Sequence, residues 1–136
     1  MLMREDLYSR TSNLWGEEHR ETLVEANNYA IALVDLERFE EARSLMRKLI
    51  PVARRILGES DRLTLKMRWV YADALYLDDG ATLDDLREAV TTLEDAERIA
   101  RRVLGGAHPA TTAIEQSLRN ARAALRARET PPPRRA

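Results

Sequence analysis

Three glycines that recur in the same local pattern constrain the fold of this 136-residue chain more than any other feature. Gly16, Gly58 and Gly105 each follow a large apolar residue, and the intervals between them are 42 and 47 residues. Self-similarity at a period of this size is typical of proteins built from stacked copies of one supersecondary unit. The sequence therefore predicts a repeat protein. Each glycine is also followed after three residues by a candidate helix N-cap or turn residue (His19, Asp61, His108) and after six by a threonine (Thr22, Thr64, Thr111).

Apolar residues within each copy recur at the three- and four-residue spacing of a helix. In the first copy one stripe runs from Leu23 to Leu33 and a second from Phe39 to Ile56; in the second copy the stripes begin at Leu65 and Leu86. Each copy is thus predicted to be an antiparallel helix pair. We predict an all-α domain over residues 1–129, with about six helices, followed by a disordered Pro/Arg tail over 130–136. The predicted helices span about 2–15, 20–36, 38–57, 62–78, 83–104 and 109–128.

Local signals refine this assignment inside the helices and between them. Pro51 lies within a predicted helix, where it removes one backbone hydrogen bond, and we expect a kink without a break. Gly80 suits the left-handed residue that ends a helix. Thr82 followed by Asp85 resembles a capping box that begins the next helix. The carboxylates near this helix start favour the positive end of the helix dipole, and their spacing does not match a calcium loop.

Composition excludes several classes of protein. The chain has no cysteine and a formal net charge of -1, so it has neither a disulfide framework nor a thiolate metal site. No apolar run approaches the ~20 residues of a membrane span, and we expect a soluble, cytoplasmic protein without a membrane partner. His19 and His108 hold equivalent repeat positions, which argues against a unique active site. No nucleophile stands at a recognisable spacing and no phosphate loop is present, so we predict no enzyme, cofactor or metal.

Several short motifs resemble the tetratricopeptide repeats of kinesin light chains. They are Trp15-Gly16-Glu17-Glu18-His19, Asn27-Asn28-Tyr29-Ala30 and Glu41-Ala42 in the first copy, Leu57-Gly58, Ala72 and Glu88-Ala89 in the second, and Leu104-Gly105 and His108-Pro109 in the third. The resemblance covers about residues 2–128. It implies a right-handed superhelical stack of antiparallel helix pairs, a TPR-like solenoid, that binds a protein or peptide in its concave groove. Trp69 and Val70 depart from the pattern, because the first copy has Asn27 and Asn28 there.

The first helix of each pair lines the concave surface in such a stack, which nominates a partner-binding groove. Side-chain amides there would bond a peptide backbone, and Trp69 and Tyr76 would supply apolar anchors. Two alternatives stay open: Trp69 or Tyr76 belongs to the core, or the two asparagines make an inter-helix hydrogen bond. The predicted groove residues are Asn27, Asn28, Ile31, Asp35, Lys66, Trp69, Asp73 and Tyr76, flanked by Val24 and Val70.

Two other functions are consistent with the sequence. The C-terminal segment is rich in arginine and could bind nucleic acid or an anionic surface. A solvated face on a capping helix with a disordered Pro-rich end is the simpler explanation, and no aromatic residue is present to stack on bases. Alternatively, unpaired end helices could stack on a second copy of the chain. The arginines concerned are Arg119, Arg122, Arg126, Arg128, Arg134 and Arg135.

Overall fold

The computed structural model describes residues 2–129 and consists there of six α-helices without strands. This confirms the predicted all-α fold of about six helices. The predicted tail, 130–136, lies outside the described residues. The helices are α1 (Leu2–Trp15), α2 (Arg20–Asp35), α3 (Phe39–Ile56), α4 (Arg62–Tyr76), α5 (Leu83–Leu104) and α6 (Pro109–Glu129).

The helices pack in two rows. Each helix contacts the next one along the chain, and α4 additionally contacts both α2 and α6. Consequently α2, α4 and α6 form an inner row, while α1, α3 and α5 form an outer row in which the backbones of α3 and α5 do not approach each other closely over residues 2–129. This arrangement fits a TPR-like stack of helix pairs, and it makes α4 the central helix.

Small residues allow the paired helices to approach closely. Ala30 on α2 and Ala42 on α3 are fully buried, and so are Ala72 on α4 and Ala89 on α5. Large apolar side chains fill the space between these contacts, and each contributes about 1.5–3 kcal/mol when buried. The largest are Leu23, Leu33, Met46, Leu49, Met67, Leu75, Leu93 and Ile114.

The recurring glycines end helices in a conformation that other residues rarely adopt. Gly16, Gly58 and Gly105 have φ values of 81°, 91° and 92°. A Cβ atom added at any of them would meet nothing within 4 Å, so the requirement for glycine is in the backbone and not in the packing. The same type of backbone turn therefore occurs three times in the chain.

The residue three positions after each glycine begins the next helix. His19 accepts the backbone N–H of Glu21 at its Nδ1 atom (3.1 Å), and His108 accepts that of Ala110 in the same way (3.0 Å). In the second copy Asp61 is the N-cap residue, and its Oδ1 accepts from Leu63 at 2.8 Å. Each side chain satisfies a helix N–H that would otherwise lack an acceptor. Both histidines are thus capping residues.

The turn inside each pair differs between the copies. Thr82 and Asp85 form the predicted capping box, with reciprocal bonds of 3.1 and 3.0 Å. The prediction of a left-handed conformation at Gly80 is wrong, because its N–H instead donates to Asp78 Oδ1 at 2.9 Å and its φ is not positive. In the first pair the left-handed residue is Glu37, with φ 59°. Pro51 does not break α3, which is continuous from Phe39 to Ile56.

Candidate binding surface on the inner helices

The residues predicted to line a groove lie on α2 and α4, but they differ widely in exposure. Ile31 is 42% exposed, and Asp35 and Lys66 are also at the surface. Four others are half-buried: Asn28, Trp69, Asp73 and Tyr76. Fewer residues are therefore exposed on the inner row than were predicted to line the groove.

Asn27 departs furthest from the predicted surface position. Its side chain is only 4% exposed, and its Oδ1 atom is enclosed without a hydrogen-bond partner among residues 2–129. Successive residues on a helix are rotated by about 100°, so Asn28 is turned toward solvent when Asn27 is turned inward. The structure thus places Asn27 in the interior and leaves Asn28 as the accessible amide of the pair.

Trp69 joins α4 to α6. Its indole N–H donates to the hydroxyl oxygen of Ser117 at 2.9 Å, and its ring packs against the main core. Trp69 remains half-buried, so one part of the ring stays accessible. The buried part of the side chain therefore belongs to the core, and the accessible part is what a partner could contact. Ser117 was not expected from the sequence, because it lies 48 residues away.

Asp73 and Tyr76 extend the same contact between α4 and α6. Burial raises the pKa of the Asp73 carboxyl to about 6, and the nearby Tyr76 hydroxyl offsets this only in part. The Oδ1 atom of Asp73 is enclosed and has no partner among the described residues. Burial is also the main cause that raises the pKa of Tyr76, whose hydroxyl lies near Ser117 and Asn120. These two side chains thus form a polar seam between the helices.

An open pocket lies beside Trp69, at the end of α4 and α6 nearest the Gly105 turn. Its volume is about 100 Å³, and apolar groups from α4, the turn and α6 form most of its lining. We call it the Trp69 pocket. Its apolar residues are Leu65, Trp69, Leu104, Ala110 and Ile114, and its polar residues are Arg62, Lys66 and His108. Of these eight, Lys66 and Trp69 were predicted as site residues. Two of the others lie on α4 at positions that the prediction did not include, and four come from the end of α5, the turn and α6, which helical periodicity on α4 cannot reveal.

The polar residues of the Trp69 pocket are cationic or hydrogen-bonding groups without acidic partners. Arg62 and Lys66 are exposed, and no ion pair over residues 2–129 includes either of them. Elsewhere the structure pairs most lysines and arginines with carboxylates, as in Lys48–Glu17 (2.6 Å). His108 uses its Nδ1 atom to cap α6, so its Nε2 atom is the ring nitrogen left for another contact. The pocket therefore combines an apolar interior with an unneutralised positive edge.

The arginines near the C-terminus are arranged differently. Arg122 pairs with Glu94 at 3.0 Å, and Arg101 pairs with both Glu97 and Glu115. Arg128 donates to the carbonyl oxygen of Ala81 at 2.6 Å. Within the described part of the chain these guanidinium groups thus have local partners. Arg134 and Arg135 lie outside the described residues.

Residues 2–129 contain neither a metal-binding cluster nor a membrane-spanning helix. No group of three or more His, Cys, Asp or Glu side chains is placed to hold a metal ion. None of the described helices is long and apolar enough to cross a membrane.

Residues 26–62 match the family model described as tetratricopeptide repeat. The matched segment covers most of α2, all of α3, the Gly58 turn and the first residue of α4. This match supports a repeat protein of the tetratricopeptide type, in agreement with the packing of the helix pairs. No curated protein and no solved structure matches the chain.

Proposed function

We propose that this chain is a non-catalytic protein-interaction module that holds a segment of a partner protein along α2, α4 and α6. Tetratricopeptide repeats generally mediate such contacts, and residues 26–62 match that family model. The observation that carries the proposal is the Trp69 pocket, because it combines a partly accessible tryptophan with two unpaired cations. Aromatic anchors in pockets are the usual centres of binding energy at protein interfaces.

The chemistry of the Trp69 pocket defines the segment that fits. An apolar side chain of the partner would fill the space between Trp69, Leu65 and Ile114. A neighbouring carboxylate would meet Arg62 and Lys66, which have no competing acidic partner among the described residues. Such complementarity contributes to specificity and association rate more than to affinity. We therefore expect a segment with an acidic residue beside an apolar one.

The partner segment would continue from the pocket toward α2. Asn28 offers an accessible amide for a peptide backbone, and Ile31 presents an apolar surface. Asp35 lies further along and favours a cation or a polar group at that end. A kinesin-light-chain-like type of tetratricopeptide repeat and a cytoplasmic location are finer parts of the proposal. The recurring Leu-Gly turn with His108-Pro109 supports the first, and the absence of cysteine agrees with the second.

A pull-down with mass spectrometry tests the proposal through matched variants. Lys66→Glu should reduce capture of a specific partner at least roughly tenfold, because it reverses an unpaired charge at the pocket edge. Lys48→Glu is the control, since Lys48 lies on α3 and pairs with Glu17. Trp69→Ala should have a similar effect, with Trp15→Ala as its control. Thermal melting of each variant verifies folding, and equal capture by Lys66→Glu and Lys48→Glu would contradict the proposal.

The two alternative functions receive less support from the structure. Binding of nucleic acid through α6 requires free cations. Arg122 and Arg128 have partners within the described residues, whereas no ion pair there includes Arg126 or Arg119, which bonds the neutral Gln116, so part of this arginine cluster is neutralised. Self-association requires an apolar end face, and among the described side chains of α1 the exposed large apolar residues are Leu14 and Trp15, at 77% and 60%. Trp15 stacks on His19 with ring centres 4.8 Å apart. Sedimentation over a range of concentrations tests this alternative, since a strict monomer contradicts it.

A further inference from the structure

A second cleft lies on the opposite side of α4, between the outer helices α3 and α5. The backbones of these two helices lie apart over the described residues, although Arg47 and Glu88 meet across the gap, so α4 forms the floor between them. The cleft has a volume of about 200 Å³. Its residues are Arg47, Ile50, Pro51 and Arg54 from α3, Arg68 and Tyr71 from α4, and Glu88 and Thr92 from α5. We call it the outer cleft.

Arg68 on the floor is the feature of the outer cleft that most needs an explanation. The residue is 4% exposed, whereas the equivalent position of the first copy is Ala26, a fully buried small residue. Burying a guanidinium is costly unless its donors are satisfied. Among residues 2–129 its hydrogen bond goes to Asp95, at 3.3 Å from Nη2, and the Asp95 side chain is 42% exposed. A guanidinium carries five N–H donors, so most of its bonding capacity is unused.

The unused donors of Arg68 are not fully enclosed. The fully enclosed polar side-chain atoms that lack partners in the described residues belong to Glu25, Asn27, Thr64, Asp73 and Thr111, and none belongs to Arg68. The free nitrogen atoms of Arg68 therefore keep some solvent contact although the residue is buried. Arg68 is also one of the residues that line the outer cleft.

The positive charge in the outer cleft is concentrated at one end. Glu88 lies at the other end, where it accepts the Tyr71 hydroxyl and lies 3.7 Å from Arg47. Arg47 also donates to Tyr71 at 2.9 Å. These three groups therefore satisfy one another. Arg54 has only an exposed contact with Glu59, at 3.5 Å.

Arg54 and Arg68 therefore both line this end of the cleft, where Glu59 lies 3.5 Å from Arg54 and also near Arg68, and Asp95 lies 3.3 Å from Arg68. Burial, followed by the positive charge of Arg54, lowers the pKa of the Arg68 guanidinium. Two guanidinium groups on different helices suit an oxyanion with several acceptor oxygens, because each can donate two parallel N–H bonds. Such bonds are stronger in a partly desolvated cleft than at an open surface.

We propose that the outer cleft is an oxyanion site in which Arg68 and Arg54 bind a phosphate group. The group is either free inorganic phosphate or a phosphate monoester carried on a larger molecule, and both present the same acceptor oxygens. Arg47 remains with Tyr71 and Glu88, so it shapes the opposite end of the cleft. The site is separate from the Trp69 pocket and does not depend on the proposed partner segment.

Titration of the full chain with inorganic phosphate at constant ionic strength tests this site. The Nε–Hε resonances of Arg54 and Arg68 should shift and saturate. Arg54→Gln should weaken binding about tenfold or more, because it removes a charge-assisted pair. Arg55→Gln is the control, since Arg55 neighbours Arg54 on α3 but pairs with Glu18. Arg68→Met, which keeps the side-chain length without the charge, should also abolish saturation.

The two sources of phosphate are distinguished by a parallel titration with O-phosphoserine. Tighter binding of O-phosphoserine supports a phosphate carried on a protein, whereas tighter or equal binding of inorganic phosphate supports the free ion. A response that does not saturate, or an equal affinity in Arg54→Gln and Arg55→Gln, overturns the proposal. Because the Arg54 side chain is at the surface and 42% exposed, its substitution should leave the fold intact, which keeps the test decisive even if Arg68→Met is unstable.

Discussion

The helix pairs α2–α3 and α4–α5 share one frame but carry different chemistry. Positions that face the core repeat: Leu33 corresponds to Leu75 and Ala30 to Ala72, and all four are buried. Positions at the edges of the core do not repeat. Ala26 of the first pair corresponds to Arg68, Asn27 to Trp69 and Ile31 to Asp73.

This contrast teaches that the second pair carries most of the candidate chemistry of the molecule. Its first helix, α4, contacts α2, α3, α5 and α6. Substitutions on α4 can therefore alter both the inner surface and the outer cleft. Trp69 and Asp73 face α6 on the inner side, and Arg68 faces the outer cleft. The core positions of α4 cannot vary so freely, because interiors are closely packed and tolerate little change in volume.

The largest expected effect tests whether the two pairs are equally important for stability. Leu75→Ala should lower the free energy of unfolding by about 3–5 kcal/mol, because it opens a cavity in the main core. Leu33→Ala, at the equivalent position, should cost about 2–3 kcal/mol, since Leu33 belongs to a smaller cluster with Ala42 and Ala74. Urea denaturation measures both. A larger loss of stability for Leu33→Ala than for Leu75→Ala would contradict the expectation that the second pair contributes more to the stability of the core.

The second prediction concerns Asp73, which replaces the exposed Ile31 of the first pair. Its pKa is raised from 3.8 to about 6 in the folded protein. The folded state therefore favours the protonated carboxyl, so stability is unaffected below about pH 4 and falls as the pH rises through 6. Asp73→Asn removes this cost and should increase the free energy of unfolding at pH 7 by up to about 3 kcal/mol.

Denaturation of Asp73→Asn at pH 4 and pH 7 measures the predicted difference. The variant should gain stability at pH 7 and show little change at pH 4. Asp79→Asn is the control, because Asp79 is exposed in the turn after α4. A gain of equal size at both pH values would mean that Asp73 destabilises the fold without titrating in this range.

The smallest expected effect comes from a substitution in the glycine turn, which all the copies share. Gly105 has φ 92° and ψ 154°, a region that is nearly restricted to glycine. Gly105→Ala should therefore cost about 2 kcal/mol, although space for the methyl group is open. Gly106→Ala is the matched control, because its φ is not positive and its added Cβ would approach only the movable end of Arg101, at 3.2 Å. Similar thermal melting of both variants would show that the turn conformation is not strained by alanine.

Much of the fold could be predicted from the sequence because its signals are local. Helical periodicity, the glycine turns and the N-cap positions at His19, Asp61 and His108 act within a few residues of each other. The prediction at Gly80 failed because the same local sequence admits two turns, and the bond to Asp78 favours the one with negative φ. The candidate groove could be predicted only in part, since periodicity gives the face of a helix but not its depth in the stack.

The sequence by itself determined the number of helices, their order and the joints between them, because caps, breakers and apolar spacing act through short-range geometry. Only the tertiary structure decided which side chains meet across those joints. It buried Asn27, bonded Trp69 to Ser117 and brought His108 beside Lys66 at the same pocket. It also placed Arg68 beneath the gap between α3 and α5. These contacts join residues far apart in the chain, and their distances depend on how whole helices pack.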